Sequence, residues 1–167
     1  MYSSTKIIKG FSTCFRQEKA NPIHCYKLHG YSISFEVEFE SEFLDDKNWV
    51  LDFGFLKRSD FRISLDGKNR TIGEWFDYMF DHTVVVAEDD TQLEWFKQGH
   101  EAGVLQLRIV KHVGCERFAQ MVFEMLENYL RIERKNNSIQ VKKVICRENE
   151  NNSASYYKNS TFNNIFK

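Results

Sequence analysis

Residues 31–40 read YSISFEVEFE, and the fold class turns on their alternation. Tyr31, Ile33, Phe35, Val37 and Phe39 share one face, while Ser32, Ser34, Glu36, Glu38 and Glu40 share the other, the period-two pattern of a strand with one buried side. If the strand begins as early as Leu28, His29 and Tyr31 lie on its apolar face together. The stretch HCYKLHGYS (24–32) leads into it and brings a cysteine and a histidine four residues apart.

Upstream, residues 5–15 are rich in β-branched and aromatic side chains and read as a second strand, followed by the polar loop RQEKANP. Downstream, WVLDFGFLK (49–57) suggests strand exit into a helix start with Asp52 as its cap. SLDGKNRT (64–71) carries turn chemistry and reads as a surface excursion. IGEWFDYMF (72–80) has the apolar spacing of a short helix, closed by Asp81 and His82. The stretch 84–103 reads as strand-like residues, a short helix capped at Asp90 or Thr91, and a loop. Phe118, Met121, Val122, Met125, Leu126, Tyr129 and Leu130 form a one-sided stripe that predicts a helix over 116–130. IQVKKVIC (139–146) and ASYY (154–157) read as a closing hairpin, with Glu148 near its turn and a phase shift at Lys142 and Lys143 that predicts a bulge. The expected architecture is one α+β domain over residues 1–167. It would hold a four-stranded antiparallel sheet in ββααββ order, with helices on one face.

The bulk numbers exclude several function classes. With 167 residues and 42% hydrophobic content the chain is long enough for a real core. A net charge of -1, with acids and bases interspersed, leaves no footprint for nucleic acid or an anionic membrane. No apolar run is long enough to span a bilayer and the N-terminus lacks a secretory pattern, so a cytoplasmic protein is expected. Four cysteines without a CxxC pair fit reduced thiols. An aromatic content of 15% suits sheet packing or subunit interfaces.

Each chemistry-bearing residue has a functional and a structural reading. Cys25 is a proton carrier or nucleophile, or a small buried hydrophobe. His29 is a metal ligand or a satisfied core residue. Asp81 and His82 are a carboxylate–imidazole relay or the polar end of a helix, since neighbouring side chains in an extended segment point apart. Glu148 is a carboxylate that accepts paired hydrogen bonds from the amidine-like edge of a heterocycle, or a solvated turn residue. Glu88, Asp89 and Asp90 read as a solvated helix start.

Taken in order, GFSTCFR, CYKLHGY, WVLDFGFLK, FDHT, VGCERFA and ENENNSASYY resemble the motifs of the 6-pyruvoyl-tetrahydropterin synthase and 6-carboxytetrahydropterin synthase family over most of the chain. The resemblance implies the tunnelling fold and subunits assembled into a homo-oligomer with interfacial active sites. It also implies a lyase reaction on the small-molecule pterin 7,8-dihydroneopterin triphosphate. Cys25, Asp81 and His82 would transfer protons and Glu148 would anchor the pterin ring, with Tyr31 beside the substrate. The Cys-x-x-x-His spacing is similar to that of the bacterial 6-carboxytetrahydropterin synthase of queuosine synthesis. The family's zinc is held by three histidines. Here Phe15 and Tyr31 stand at two of those positions, leaving His29 as the one family ligand. Three functions follow as expectations: a 6-carboxytetrahydropterin synthase-like lyase, an enzyme acting on another pterin or purine-like substrate, and a non-catalytic homologue that has lost zinc.

Overall fold

The structure is a computed structural model that describes residues 1–22, 24–133 and 138–158. Two long strands, β1 (Tyr2–Phe15) and β2 (His29–Ser41), pair antiparallel along nearly their whole length. Two single 3-10 turns, Glu18–Ala20 and His24–Tyr26, carry the chain between them. After β2 come α1 (Phe55–Arg58), a small hairpin of β3 (Ile63–Leu65) and β4 (Lys68–Arg70), and α2 (Ile72–Phe80). Then follow β5 (Thr83–Ala87), α3 (Leu93–Glu101), β6 (Leu107–Val110), α4 (Cys115–Glu133), β7 (Ile139–Arg147) and β8 (Ser153–Tyr157).

The main sheet has six strands in the order β6-β5-β1-β2-β7-β8, which corrects the four-stranded antiparallel expectation. The four expected strands lie together as β1-β2-β7-β8. The other two, β5 and β6, extend the sheet by parallel pairing beside β1. β5 is the VVV run that already looked strand-like, but a continuous apolar run has no alternation to reveal its neighbours. β6 is four residues long, too short to display a period, and α3 supplies the crossover that a parallel pair needs. The segment 49–57 holds no strand: Val50 and Leu51 are buried in loop. Asp52 is not the cap of α1, whose N-cap is Gly54 with no side-chain cap bond; it orders the turn ahead of the helix instead, accepting from the Gly54 amide at 2.8 Å and from Arg58 at 2.7 and 2.8 Å. The expected surface excursion at 64–71 lies almost wholly in the β3-β4 hairpin of residues 63–70, whose tip residues Asp66 (φ 51°) and Gly67 (φ 70°) take the left-handed conformations of a tight two-residue turn.

Two bulges set the phase of the sheet. β1 buries Ile8 and then Phe11, Thr13 and Phe15, a change from even to odd positions. Gly10 is the residue that absorbs it: Lys9 pairs Ser34 and Phe11 pairs Ile33, leaving Gly10 unpaired at φ 104°. In β7 the predicted bulge falls at Lys142, since Glu38 pairs Lys143 and Phe39 pairs Val141. Both shifts keep apolar side chains on the covered face.

That face carries the core. Ile33, Phe35, Val37 and Phe39 of β2 are fully buried against Phe76 and Phe80 of α2 and Phe118, Val122 and Leu126 of α4. Phe35 meets the rings of Phe76 at 5.5 Å and Phe80 at 4.8 Å. α2 presents Ile72, Trp75, Phe76, Met79 and Phe80 at helical spacing. A capping box begins it: the Glu74 amide donates to the Thr71 hydroxyl at 3.2 Å and the Thr71 amide donates to Glu74 at 2.7 Å. α4 runs past the predicted 116–130 at both ends. On the other face Glu36 meets Arg147 at 2.8 Å and Glu38 meets Lys142 at 2.8 Å.

The acidic run 88–90 is not uniformly solvated. Asp90 is buried and pairs Arg16 through two bonds, Nε to Oδ2 at 2.8 Å and Nη2 to Oδ1 at 2.6 Å. This ion pair locks the end of β1 to the loop between β5 and α3, with the Arg16 guanidinium also over the Tyr26 ring at 5.2 Å. Asp90→Ala leaves the buried Arg16 with only the longer 3.3 Å pairing to Glu18 and is expected to lower the urea-unfolding free energy by about 2–3 kcal/mol, short of the cost of a wholly unpaired charge. Phe35→Ala opens a core cavity and is expected to cost more, about 3–5 kcal/mol. Lys19→Ala, which breaks only the exposed bond to Asp89, should leave the midpoint unchanged.

Candidate functional site

The first turn of β2 lies against the last residues of β1, with Phe15 opposite His29 and Thr13 opposite Tyr31. Because β1 is in its post-bulge phase, Phe15 faces inward and its ring stacks on Tyr31, centroids 4.2 Å apart and planes 17° apart. The edge of Phe118 closes the stack at 5.1 Å. His29 and Tyr31 do share one face: the Tyr31 hydroxyl is hydrogen-bonded to His29 Nε2. His29 Nδ1 lies 2.7 Å from the Lys27 carbonyl oxygen. A carbonyl only accepts, so Nδ1 carries a proton, and in the neutral ring Nε2 accepts from the Tyr31 O–H.

Cys25 sits half-buried on the 3-10 turn that precedes β2, which is pinned by the Gln17 amide donating to the Cys25 carbonyl at 2.8 Å. Its Sγ is 3.6 Å from His24 Nε2, and the His24 ring lies 5.8 Å from that of His29. Glu148 follows β7 directly. Its amide donates to the Asn152 carbonyl at 3.0 Å and its carboxylate accepts from Asn152 Nδ2 at 3.3 Å. The asparagine-rich turn is thus ordered by its own side chains, since Asn149 Oδ1 also accepts from the amides of Asn151 and Asn152. Glu148 is half-buried rather than a fully solvated turn residue. Burial pushes the Tyr31 phenol above its usual range, and the nearby charges of Glu148 and Cys25 push it further. One chain therefore gathers Cys25, His29, Tyr31 and Glu148 at one end of the sheet.

Asp81 and His82 form a second group. Adjacent side chains were expected to point apart, yet Asp81 Oδ1 lies 2.9 Å from His82 Nδ1. His82 adopts the left-handed conformation at φ 54°, which takes this residue out of the extended geometry on which that expectation rested. The inward Thr13 hydroxyl donates to the Phe80 carbonyl and the Ser12 amide donates to Asp81 Oδ1 at 3.3 Å, so β1 fixes the pair in place. The imidazole is 76% exposed. No described contact joins this pair to Cys25. Cavities of about 550, 460 and 160 Å³ are lined by other residues.

Two participants had no assigned role in the sequence. A hydrogen bond that the Cys146 S–H donates to Cys115, with burial, pushes the Cys146 thiol far up, and Cys115 also acts on Tyr31. Only the VGCERFA segment signalled Cys115. The Lys27 carbonyl, which fixes the His29 ring, leaves no side-chain signature at all.

The residues present do not fit a zinc ion held by three protein ligands. Phe15 carries no donor atom and lies in the ring stack, and the Tyr31 hydroxyl occupies Nε2 of His29. Cys14 lies on the opposite face of β1 from Phe15, against Gly30. Among the described residues no three His, Cys, Asp or Glu side chains converge to hold a metal.

A curved α+β layer whose second strand opens on His-Gly, with a cysteine four residues ahead on the preceding turn, defines the class, a tunnelling-fold protein of the pterin synthase type. The chain belongs to the 6-pyruvoyl tetrahydropterin synthase family, whose profile matches residues 5–159. Its fold is similar to that of an uncharacterized protein from Wolinella succinogenes, with a TM-score of 0.73 at 17% identity over 95% of this chain and 98% of that one. It is also similar to the 6-pyruvoyl tetrahydropterin synthase of Caenorhabditis elegans, with a TM-score of 0.56 at 19% identity over 95% of this chain and 96% of that one. The Plasmodium falciparum enzyme of the same name gives a TM-score of 0.56 at 13% identity over 93% and 98%. No curated protein matches. Among the described residues no helix is long and apolar enough to cross a membrane.

The raised phenol pKa of Tyr31 has a stability consequence. A folded pKa above the unfolded value of about 10 contributes stability that is complete below that pH and is lost as pH rises through the folded value. Tyr31→Phe is expected to flatten the decline in the urea midpoint above about pH 10. Unchanged alkaline slopes in the two proteins would contradict the assignment.

Proposed function

We propose that this chain is a 6-carboxytetrahydropterin synthase-like lyase acting on 7,8-dihydroneopterin triphosphate in 7-deazaguanine and queuosine synthesis. The observation that carries this is the meeting of Cys25, Tyr31 and Glu148 at one end of the sheet, with an intact Asp81–His82 pair held on β1. The family's enzymes act on pterins, and a carboxylate such as Glu148 matches the paired donors of a pterin's amino-pyrimidinone edge. Side-chain tautomerisation needs a proton taken from the carbon that bears a hydroxyl and returned at its neighbour; triphosphate is then eliminated, one water adds to the resulting carbonyl carbon next to the ring, and the bond from that carbon to the rest of the side chain breaks, leaving the carboxylate and releasing acetaldehyde. Cys25 is suited to take that proton, and the Asp81–His82 pair to return one.

Because Asp81 and His82 stand apart from Cys25 within one chain, the reading includes a cytoplasmic homo-oligomer in which a second copy brings them to the site. It includes no nucleic-acid or membrane partner. Incubation of the purified protein with 7,8-dihydroneopterin triphosphate, with and without zinc, should yield a new pterin by mass-resolved chromatography; no product in either condition sinks the reading. Cys25→Ala is expected to lower kcat/KM by about 10²–10⁴. Mixed oligomers of Cys25→Ala and His82→Ala chains should regain part of the activity that each variant alone has lost.

The Phe15–Tyr31 stack favours a second reading, an enzyme for another pterin or purine-like substrate, because it alters the pocket where the substrate side chain would lie. A thermal-shift panel separates the two: stabilisation by a guanine-type ligand and not by dihydroneopterin supports the second. Intact cellular function in a Cys25→Ala strain would instead support a non-catalytic homologue.

A further inference from the structure

The position where a zinc-binding relative needs ligands is filled here by a different, fully partnered arrangement. His29 has both ring nitrogens engaged, Nδ1 at the Lys27 carbonyl and Nε2 at the Tyr31 hydroxyl. For His29 to give Nε2 to a metal, the Tyr31 bond must break and the phenol must swing away from its stack on Phe15. What would then remain is one imidazole with a Phe15 ring where another donor would be needed, too few ligands for a first-row metal. His24 and Cys25 contact each other, yet with His29 they form no three-ligand group.

We propose that this site holds no metal at His29 and that the Tyr31 hydroxyl, fixed by His29, instead accepts the hydrogen bond of a substrate hydroxyl. A tyrosine O–H has one proton and two lone pairs. That proton is taken within the site, by His29 Nε2 or by the neighbouring Glu148 carboxylate, so what Tyr31 presents to a ligand is acceptor capacity. Its neighbours Glu148 and Cys25 add no positive charge. This point of the site therefore suits a neutral donor, a hydroxyl on the side chain of a heterocycle, and opposes a carboxylate or phosphate. The Phe15 ring, itself backed by the edge of Phe118, holds the phenol in place before any ligand arrives, which spares part of the ordering cost of binding. Tyr31 would touch the ligand, and His29 would be a positioning residue that fixes the direction of the hydroxyl. The choice of heterocycle rests on the pterin reading above; the metal statement does not.

Two measurements on the full-length, untagged protein test this. Elemental analysis and a zinc titration should find far less than one zinc per chain, and the Phe15→His/Tyr31→His double variant should bind one. Stoichiometric zinc in the natural chain overturns the proposal, and so does a folded double variant that stays zinc-free. Should the double variant not fold, Tyr31→Phe keeps the ring stack and removes only the hydroxyl. By pterin fluorescence, Tyr31→Phe is expected to weaken binding of 7,8-dihydroneopterin about tenfold, as for one lost hydrogen bond, and to leave 6-methylpterin unaffected. Equal effects on both ligands overturn the hydroxyl contact. If the natural chain binds neither pterin, the pterin reading and the hydroxyl contact both fall, while the zinc titration still decides the metal.

Discussion

Gly10 lets β1 carry one residue more than β2 opposite it, and the site depends on that extra residue. Ahead of it the inward positions of β1 are even-numbered and end at Ile8; beyond it they are Phe11, Thr13 and Phe15. Without the shift, Cys14 would face the helices and Phe15 the far side, because a strand's side chains alternate strictly. The left-handed φ of 104° is open to glycine and costly for a side-chain-bearing residue. One backbone conformation thus places the Phe15 ring on Tyr31, the Thr13 hydroxyl under the end of α2 and the Ser12 amide at Asp81.

The two ends of this β1 segment are then held by different forces. On the inner face the aromatic cluster of Phe11, Phe35, Phe76 and Phe80 anchors β1 and β2 to α2 through buried area and ring contacts. At the exit the buried Arg16–Asp90 pair holds the chain to the β5-α3 loop. A buried pair adds little net stability over apolar packing, but it penalises any register in which either partner is left alone. The apolar cluster supplies stability, and the ion pair helps specify where the loop bearing Cys25 begins.

Legibility in the sequence followed the physics of each element. β2, α2, α4 and the β7-β8 hairpin were readable because each buries one face over many residues, so a period shows. The Lys142 bulge was readable because it interrupts such a period. β5 was readable as a strand from its apolar run but its parallel pairing was not, and the four-residue β6 was not readable, since both pair with strands without leaving a period in the sequence. At the site, residue identities were legible as a motif, while the pairing of Asp81 with His82 hinged on a single φ of 54° that no side-chain pattern announces. The partnering of His29 by the Lys27 carbonyl was hidden for a similar reason, since every residue offers a carbonyl.

The polar groups on the covered face bear on whether this site is a relic. A cage that had merely lost its ligands would leave the half-buried His29 with Nε2 lacking any protein partner. Here the residue that replaces one ligand supplies that partner: Tyr31 gives His29 its hydrogen bond, and the residue that replaces the other, Phe15, supports the Tyr31 ring. Among the described residues the one buried side-chain polar atom without a partner is the Ser4 hydroxyl, on β1 ahead of the Gly10 bulge and away from the site. Two substitutions that complete each other's contacts around a retained histidine are what a reworked site requires, and decay provides no reason for the second to fit the first.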